Sequence, residues 1–223
     1  MSKPVALILG ATGLVGGHCL ALAAGDPYYE KTVVLGRRTV SLFAHHDKVE
    51  QHVADMDDPA LEERFPAADH VFCALGTTIG KAGSREAFAK VDFTCVRDLA
   101  RVAQEKGATT LVVVSAVGAD PGSRVFYNRV KGEMEQAVAR LGYESVTILR
   151  PSLLLGHRHD FRAGEWIAQK LSGPFAAVIP GRYRPVKARI VARAMMAAAK
   201  NSLPGVRVVE SRDIPRLAGS DTP

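Results

Sequence analysis

The sequence predicts an α/β protein built on a doubly wound parallel sheet. Three observations carry that expectation. Short apolar runs rich in β-branched residues recur along the chain, helix-like apolar patterns lie between them, and the first run ends in a glycine-rich turn that opens the first helix. Runs of this kind suit strands buried on both faces, as in parallel sheets. Their alternation with helices from residue 4 to residue 150 calls for right-handed crossovers within one sheet.

The elements follow in order. Val5–Leu9 is the first strand, and Leu14–Ala24, rich in Leu and Ala, the first helix. Val33–Leu35 and the weaker Val49–Val53 are the next strands, and a short helix is expected over Asp58–Arg64. Val71–Leu75 is the fourth strand. Ser84–Lys106 places Phe88, Val91, Cys95, Leu99 and Val102 at three- and four-residue steps, which is one face of a helix. Leu111–Val114 is a strand, Val125–Leu141 a helix with Val130, Met134, Val138 and Leu141 on one face, and Val146–Leu149 a further strand. After Pro151 the rhythm changes. A loop carries His157, Arg158, His159 and Asp160, a short helix is expected over Ala163–Leu171, a longer one over Val186–Lys200, and a strand over Val206–Val209. The chain reads as a single domain over residues 1–223, with a core at 4–150, a small substrate-side segment at 151–217 and a frayed end at Ala218–Pro223.

Composition narrows the class. In 223 residues, 47% are hydrophobic and 23% charged, enough apolar material to offset the entropy of ordering. Cys19, Cys73 and Cys95 lie far apart in apolar stretches, a pattern that fits neither a disulfide framework nor a zinc cluster. No metal site is expected: His157-x-His159 lacks further ligands at useful spacing. Neither a cleavable leader nor a membrane span is visible, so the expected location is cytoplasmic. The net charge of +6 comes from scattered basic residues, and with only 6% aromatics it favours an anionic small ligand over nucleic acid.

The first turn reads Gly10-Ala11-Thr12-Gly13-Leu14-Val15-Gly16. Gly10 permits a tight turn, Gly13 leaves room for a pyrophosphate, and Gly16 lets the helix pack closely on the strand. Free N–H groups at the helix start then face the phosphates. Between a first strand and a first helix this pattern points to a dinucleotide. An NAD site usually places an acid at the end of the second strand; here Arg37 and Arg38 follow Leu35-Gly36, and guanidinium groups suit a 2′-phosphate. NADP(H) is the expected cofactor. Asp55, after the third strand, is placed either to accept from the adenine amino group or to cap the helix near Asp57-Asp58-Pro59. Gly76–Lys81 resembles a phosphate-binding Walker loop, but it is one residue short between its glycines and Ala82 follows the Lys, so ATP is not expected.

Ser115 ends the Leu111–Val114 run, on the edge of the sheet where ligands bind. Twelve residues on, Tyr127 and Lys131 share one helical face, where the ammonium is expected to lower the phenol pKa and make Tyr127 a proton donor or acceptor. Ser115 would orient the reacting oxygen. Tyr183 and Lys187 have the same spacing but are interrupted by Pro185 and have no strand-end serine before them.

Several phrases together resemble the atypical short-chain dehydrogenase/reductase superfamily, in its Tat-interacting-protein-like (oxidoreductase-like) group. They are Cys73-Ala74-Leu75-Gly76-Thr77-Thr78, Gly80-Lys81-Ala82-Gly83, Val91-Asp92, Ser115-Ala116-Val117-Gly118-Ala119-Asp120, Tyr127-x-x-x-Lys131-Gly132-Glu133, Arg150-Pro151 and Gly164-Glu165-Trp166. The resemblance implies a Rossmann fold holding NADPH. It implies pyrophosphate contacts from Gly10, Thr12, Gly13, Leu14, Val15 and Gly16, and a 2′-phosphate contact from Arg37. Ala74, Leu75 and Gly76 would line the ribose and nicotinamide side, Pro151 and Leu153 the carboxamide region. Tyr127 would be the proton donor, and Lys131 would also bind the nicotinamide ribose.

The expected function is NADPH-dependent reduction of a small carbonyl substrate by Ser115, Tyr127 and Lys131. The substrate is anionic if Arg158, Arg162, Arg182 and Arg184 face the pocket. A non-catalytic NADPH-responsive regulator, and an epimerase or dehydratase on the same scaffold, are the alternatives. A homodimer or a protein partner is compatible with either reading.

Overall fold

The computed structural model describes residues 2–155 and 184–219. Its elements run β1 (Val5–Leu9), α1 (Leu14–Gly25), β2 (Lys31–Gly36), β3 (Val49–Val53), β4 (His70–Cys73), α2 (Ile79–Ala82), α3 (Arg85–Ala89), a π-helical turn (Lys90–Cys95) and α4 (Val96–Glu105). They continue with β5 (Thr110–Val114), α5 (Phe126–Val138), β6 (Ser145–Arg150), β7 (Leu154–Leu155), β8 (Val186–Lys187), α6 (Ala188–Asn201), β9 (Gly205–Glu210) and α7 (Ile214–Leu217).

Seven strands form one sheet in the order β3-β2-β1-β4-β5-β6-β9, every neighbouring pair parallel. This is the doubly wound Rossmann-like fold expected. Strand pleating sorts each apolar run between two cores. Ala6, Ile8, Phe72, Val112 and Leu149 face α1 and α6, while Leu7, Leu9, Val71, Cys73, Val113 and Ile148 face α4 and α5. Each fully buried Leu, Ile or Phe contributes roughly 1.5–3 kcal/mol, which is why the central strands carry no polar alternation. On the first face α1 and α6 lie close because both are built of small residues, and Cys19 Sγ lies 3.5 Å from Met195 Sδ. The seventh strand comes from the segment after Pro151, so that segment completes the sheet as well as carrying β7 and β8.

Four local expectations are corrected. The helix expected over Asp58–Arg64 is a single 3-10 turn, Pro59–Leu61. Asp58 accepts from Ala60 N–H at 2.9 Å to start it, and Pro66 disfavours helical geometry at Phe65. Strand Val71–Leu75 ends at Cys73, and Ala74 and Leu75 turn out into the loop. The expected helix Val186–Lys200 begins two residues later, because Val186 N–H bonds Leu153 O at 2.9 Å and pairs β8 with β7. The long helix Ser84–Lys106 is broken by the π-helical turn. One extra residue there rotates the inward face, so that Asp92 and Val96 are buried and Val91 and Cys95 only half-buried. The expected helix Ala163–Leu171, His157, His159, Arg158, Arg162, Arg182 and Tyr183 lie outside the described residues.

Candidate functional site

In a parallel sheet all carboxyl ends share one edge. Gly10 follows β1 directly, Arg37 follows β2, Ala74 follows β4, Ser115 follows β5 and Pro151 follows β6, while Asp55 lies two residues past β3. The sequence-predicted residues therefore collect along one edge. The strand order reverses between β1 and β4, which is where an open α/β sheet forms its ligand crevice.

The crevice is built at Gly10 and Ala74. Gly10 has φ +87°, and a Cβ there would stand 2.7 Å from Ala74 C and O, so only glycine lets the two loops meet. A Cβ on Gly16 would lie 2.1 Å from Gly10 O, so that glycine brings α1 onto the turn. Gly13 is the N-cap of α1 and donates to Gly10 O at 2.9 Å; no side chain caps the helix, and its first turn holds no acidic residue. Thr12 is exposed, Gly13 and Leu14 are half-buried, and Val15 is buried. A helix start left without a side-chain cap, behind a turn that a Cβ would fill, fits the pyrophosphate of a dinucleotide.

Arg37 and Arg38 are both exposed. Arg37 is near enough to Cys95 to act on its thiol, which burial and Asp57 push up. Asp55 is exposed and its Oδ1 accepts from Asp57 N–H at 3.1 Å, so it shapes its own turn, while the cap of the 3-10 turn is Asp58. The thiols of Cys19, Cys73 and Cys95 are free. Among the described residues no cluster of three metal-ligating side chains forms, and no helix is long and apolar enough to cross a membrane.

The chemistry-bearing groups sit across β4, β5 and α5. Ser115 is 5% exposed, its N–H donates to Leu149 O at 2.7 Å, and its buried Oγ has no hydrogen-bond partner among the described residues. Lys131 is buried on α5, and its Nζ lies 2.7 Å from Asp92 Oδ1. Tyr127, one turn earlier, is half-buried with its ring centroid 5.4 Å from that of Phe88. The expected lowering of its pKa is corrected. Burial pushes the Tyr127 phenol up, and although the Lys131 ammonium pulls it down, Asp92 opposes that pull. Pro151 is buried with its carbonyl accepting from Val117 N–H at 3.0 Å, and Leu153 is half-buried.

Two groups in the site were given no role from the sequence. Asp92 is 1% exposed, with Oδ2 accepting from Thr77 N–H at 2.8 Å. Its signal was present: Phe88, Asp92 and Val96 follow at four-residue steps, an acid inside an apolar stripe. Arg150 clamps buried Glu135, its Nε at 2.9 Å from Oε1 and Nη2 at 2.5 Å from Oε2, and reaches Glu210 at 3.0 Å. Both carboxylates hold the guanidinium pKa up. Glu135 lies one turn after Lys131, so this clamp ties α5 to the ends of β6 and β9.

Comparison with known proteins agrees with this geometry. A family model described as NAD(P)H-binding matches residues 10–201. "Protein FMP52, mitochondrial" of Candida albicans is 32% identical over 223 residues, covering 96% of this chain and 97% of that protein. Protein HTATIP2 of Rattus norvegicus is 36% identical over 177 residues, covering 78% of this chain and 72% of the other. Among solved structures, MoeE5 in complex with UDP-glucose and NAD superposes with TM-score 0.69 at 18% identity, covering 98% and 81% of the two chains. The Helicobacter pylori ADP-L-glycero-D-manno-heptose-6-epimerase does so with TM-score 0.69 at 21% identity, covering 93% and 76%. At these identities the two structures show the shared fold. The expected cytoplasmic location is overturned, since fungal relatives are named as mitochondrial proteins. Free thiols ask only for a reducing surrounding and do not say which compartment supplies it.

Proposed function

The chain belongs to the atypical short-chain dehydrogenase/reductase-like group of NAD(P)H-binding proteins, and from that premise we propose that it is an NADPH-dependent reductase of a small carbonyl compound. The observation that carries this reading is Ser115 Oγ, a buried hydroxyl at the carboxyl edge without a hydrogen-bond partner among the described residues. An unsatisfied buried donor costs about 1–3 kcal/mol, and a substrate oxygen would satisfy it. We read residues 1–223 as one domain, and by likeness to the fungal relatives we place the protein in mitochondria.

Gly10, Gly13 and the first turn of α1, with Thr12, Leu14, Val15 and Gly16, would hold the pyrophosphate. Arg37 and Arg38 would take the 2′-phosphate, with Asp55 at the adenine. Ala74, Leu75 and Gly76 would line the ribose and nicotinamide side, and Pro151 and Leu153 the carboxamide. Bound NADPH supplies the hydride. Ser115 donates a hydrogen bond to the carbonyl oxygen. Tyr127, kept as a phenol by burial, gives its proton to that oxygen as the alcohol forms. Lys131 holds the resulting phenolate by charge until a proton returns from solvent.

NADPH consumption against a panel of small aldehydes and ketones, acidic ones included, tests the reading. Wild type is expected to turn over at least one of them, Ser115→Ala to slow it, and Tyr127→Phe to abolish it. Turnover unaffected by Tyr127→Phe would refute the proton-donor role. NADPH binding without turnover across the panel would favour the regulator.

A further inference from the structure

Asp92 lies within the π-helical turn, a local geometry often found at functional sites. It is almost wholly buried, and its two oxygens are divided between two elements. Oδ1 pairs with Lys131 Nζ of α5 at 2.7 Å, and Oδ2 accepts the Thr77 N–H of the β4–α2 loop at 2.8 Å. Gly76 lies directly over the pair: a Cβ there would stand 3.3 Å from Asp92 Oδ1 and 3.9 Å from Lys131 Nζ.

We propose that Asp92 is the positioning residue of this site: one carboxylate fastens the Gly76–Thr77 loop and the Lys131 ammonium together, and presents that ammonium to Tyr127 with its charge partly offset. Phe88 and Asp92, four residues apart, already share a helical face, and with the π turn between them and α4 it is Asp92 and Val96 that are buried, while Val91 and Cys95 are half-buried. Two charged groups act on the Tyr127 hydroxyl, Lys131 from α5 and Asp92 from the π turn. Phe88 of α3 covers its ring, and the guanidinium groups of Arg85 and Arg129 lie over the neighbouring Phe126 instead. With Asp92 present the ammonium's pull on the phenol is offset, so the loop and the proton donor are set by the same group.

This rests on the assignment of Tyr127 as proton donor, but its test needs neither cofactor nor turnover. Tyrosine ring-carbon NMR of the dinucleotide-free protein follows the titration of Tyr127, with Tyr127→Phe identifying its signal among the five tyrosines. Asp92→Asn keeps the shape and an acceptor for Thr77 N–H but removes the charge. It is expected to raise the phenolate-to-phenol ratio at a given pH at least about tenfold, a shift of roughly one pH unit. Adding Lys131→Met should return the titration toward that of wild type. A buried ammonium left without its partner destabilises a fold, whereas removing both charges often does not. If Asp92→Asn fails to fold, Asp92→Asn/Lys131→Met is therefore expected to fold. An unchanged Tyr127 titration in Asp92→Asn, or a double variant no closer to wild type than the single one, overturns the proposal. Failure of the reductase reading alone would leave the NMR result standing while no carbonyl compound is reduced.

Discussion

The two edges of the sheet each carry a tyrosine, buried at one and half-buried at the other, and they treat it differently. At the amino edge Tyr29 is 1% exposed, its hydroxyl bonds His70 Nδ1 at 3.0 Å, and Phe72 packs edge-on at 6.1 Å. Nearby, Asp69 closes the end of β1 by accepting from Val5 N–H at 2.7 Å. At the carboxyl edge Tyr127 is half-buried and feels the charges of the buried Lys131–Asp92 pair, Ser115 Oγ has no partner among the described residues, and α1 starts without a side-chain cap. Both clusters contain a tyrosine and further polar groups. What separates the two clusters is satisfaction: the first pairs its tyrosine hydroxyl with His70, and the second leaves the Ser115 hydroxyl without a partner among the described residues.

Four substitutions sharpen that contrast, from the largest effect down. Tyr127→Phe is expected to cut the reductase rate at least about a hundredfold with melting temperature and NADPH affinity near wild type; a large loss of stability instead would make Tyr127 a structural residue like Tyr29. Gly16→Ala drives a methyl to 2.1 Å from Gly10 O, which should cost about 1–3 kcal/mol or more. Denaturant unfolding reads that loss, and NADPH affinity should fall with it. Arg37→Ala should weaken NADPH by about tenfold to a hundredfold, the worth of one charge-assisted contact, and leave NADH untouched. The smallest effect belongs to the partly exposed Lys31–Glu50–His52 group on β2 and β3: Glu50→Gln should change stability by under about 1 kcal/mol, because water and salt screen such pairs.

The amino edge has its own pH signature. Burial lowers the His70 pKa from 6.5. Below that value the unfolded chain takes up a proton that the native ring does not, so the unfolded state binds more protons and stability falls as pH drops. The loss starts near pH 6.5 and continues down to the lower native pKa. His70→Gln should flatten this part of a stability-against-pH curve; a slope as steep as wild type would place the proton uptake elsewhere.

The sheet was legible in the sequence because each central strand is apolar on both faces, and a continuous run such as Val5–Leu9 permits few other placements. Much of the site edge follows for the same reason, since residues that come after the strands of a parallel sheet must share one edge, but the fourth strand ends at Cys73 and not at Leu75 as the apolar run suggests. Asp92 was harder to read. A π turn shifts the register by one residue, and a stripe drawn through Phe88, Val91 and Cys95 assumes a regular helix. The electrostatics of Tyr127 were misjudged for a related reason: Tyr and Lys four apart show a cation beside a phenol, but the anion that offsets it comes from another element. The 3-10 turn at Pro59–Leu61 shows that a proline seven residues after the start matters more than the acidic cap that precedes it.

The most direct measurement is calorimetric titration of the wild-type protein and of Arg37→Ala with NADPH and with NADH. Dinucleotide binding at the carboxyl edge, with Arg37 at the 2′-phosphate, predicts tight NADPH binding to wild type, weaker NADH binding, and loss of the difference in Arg37→Ala. Binding of neither nucleotide by the wild type would contradict it and leave the uncapped helix, and the serine that has no partner among the described residues, without a ligand.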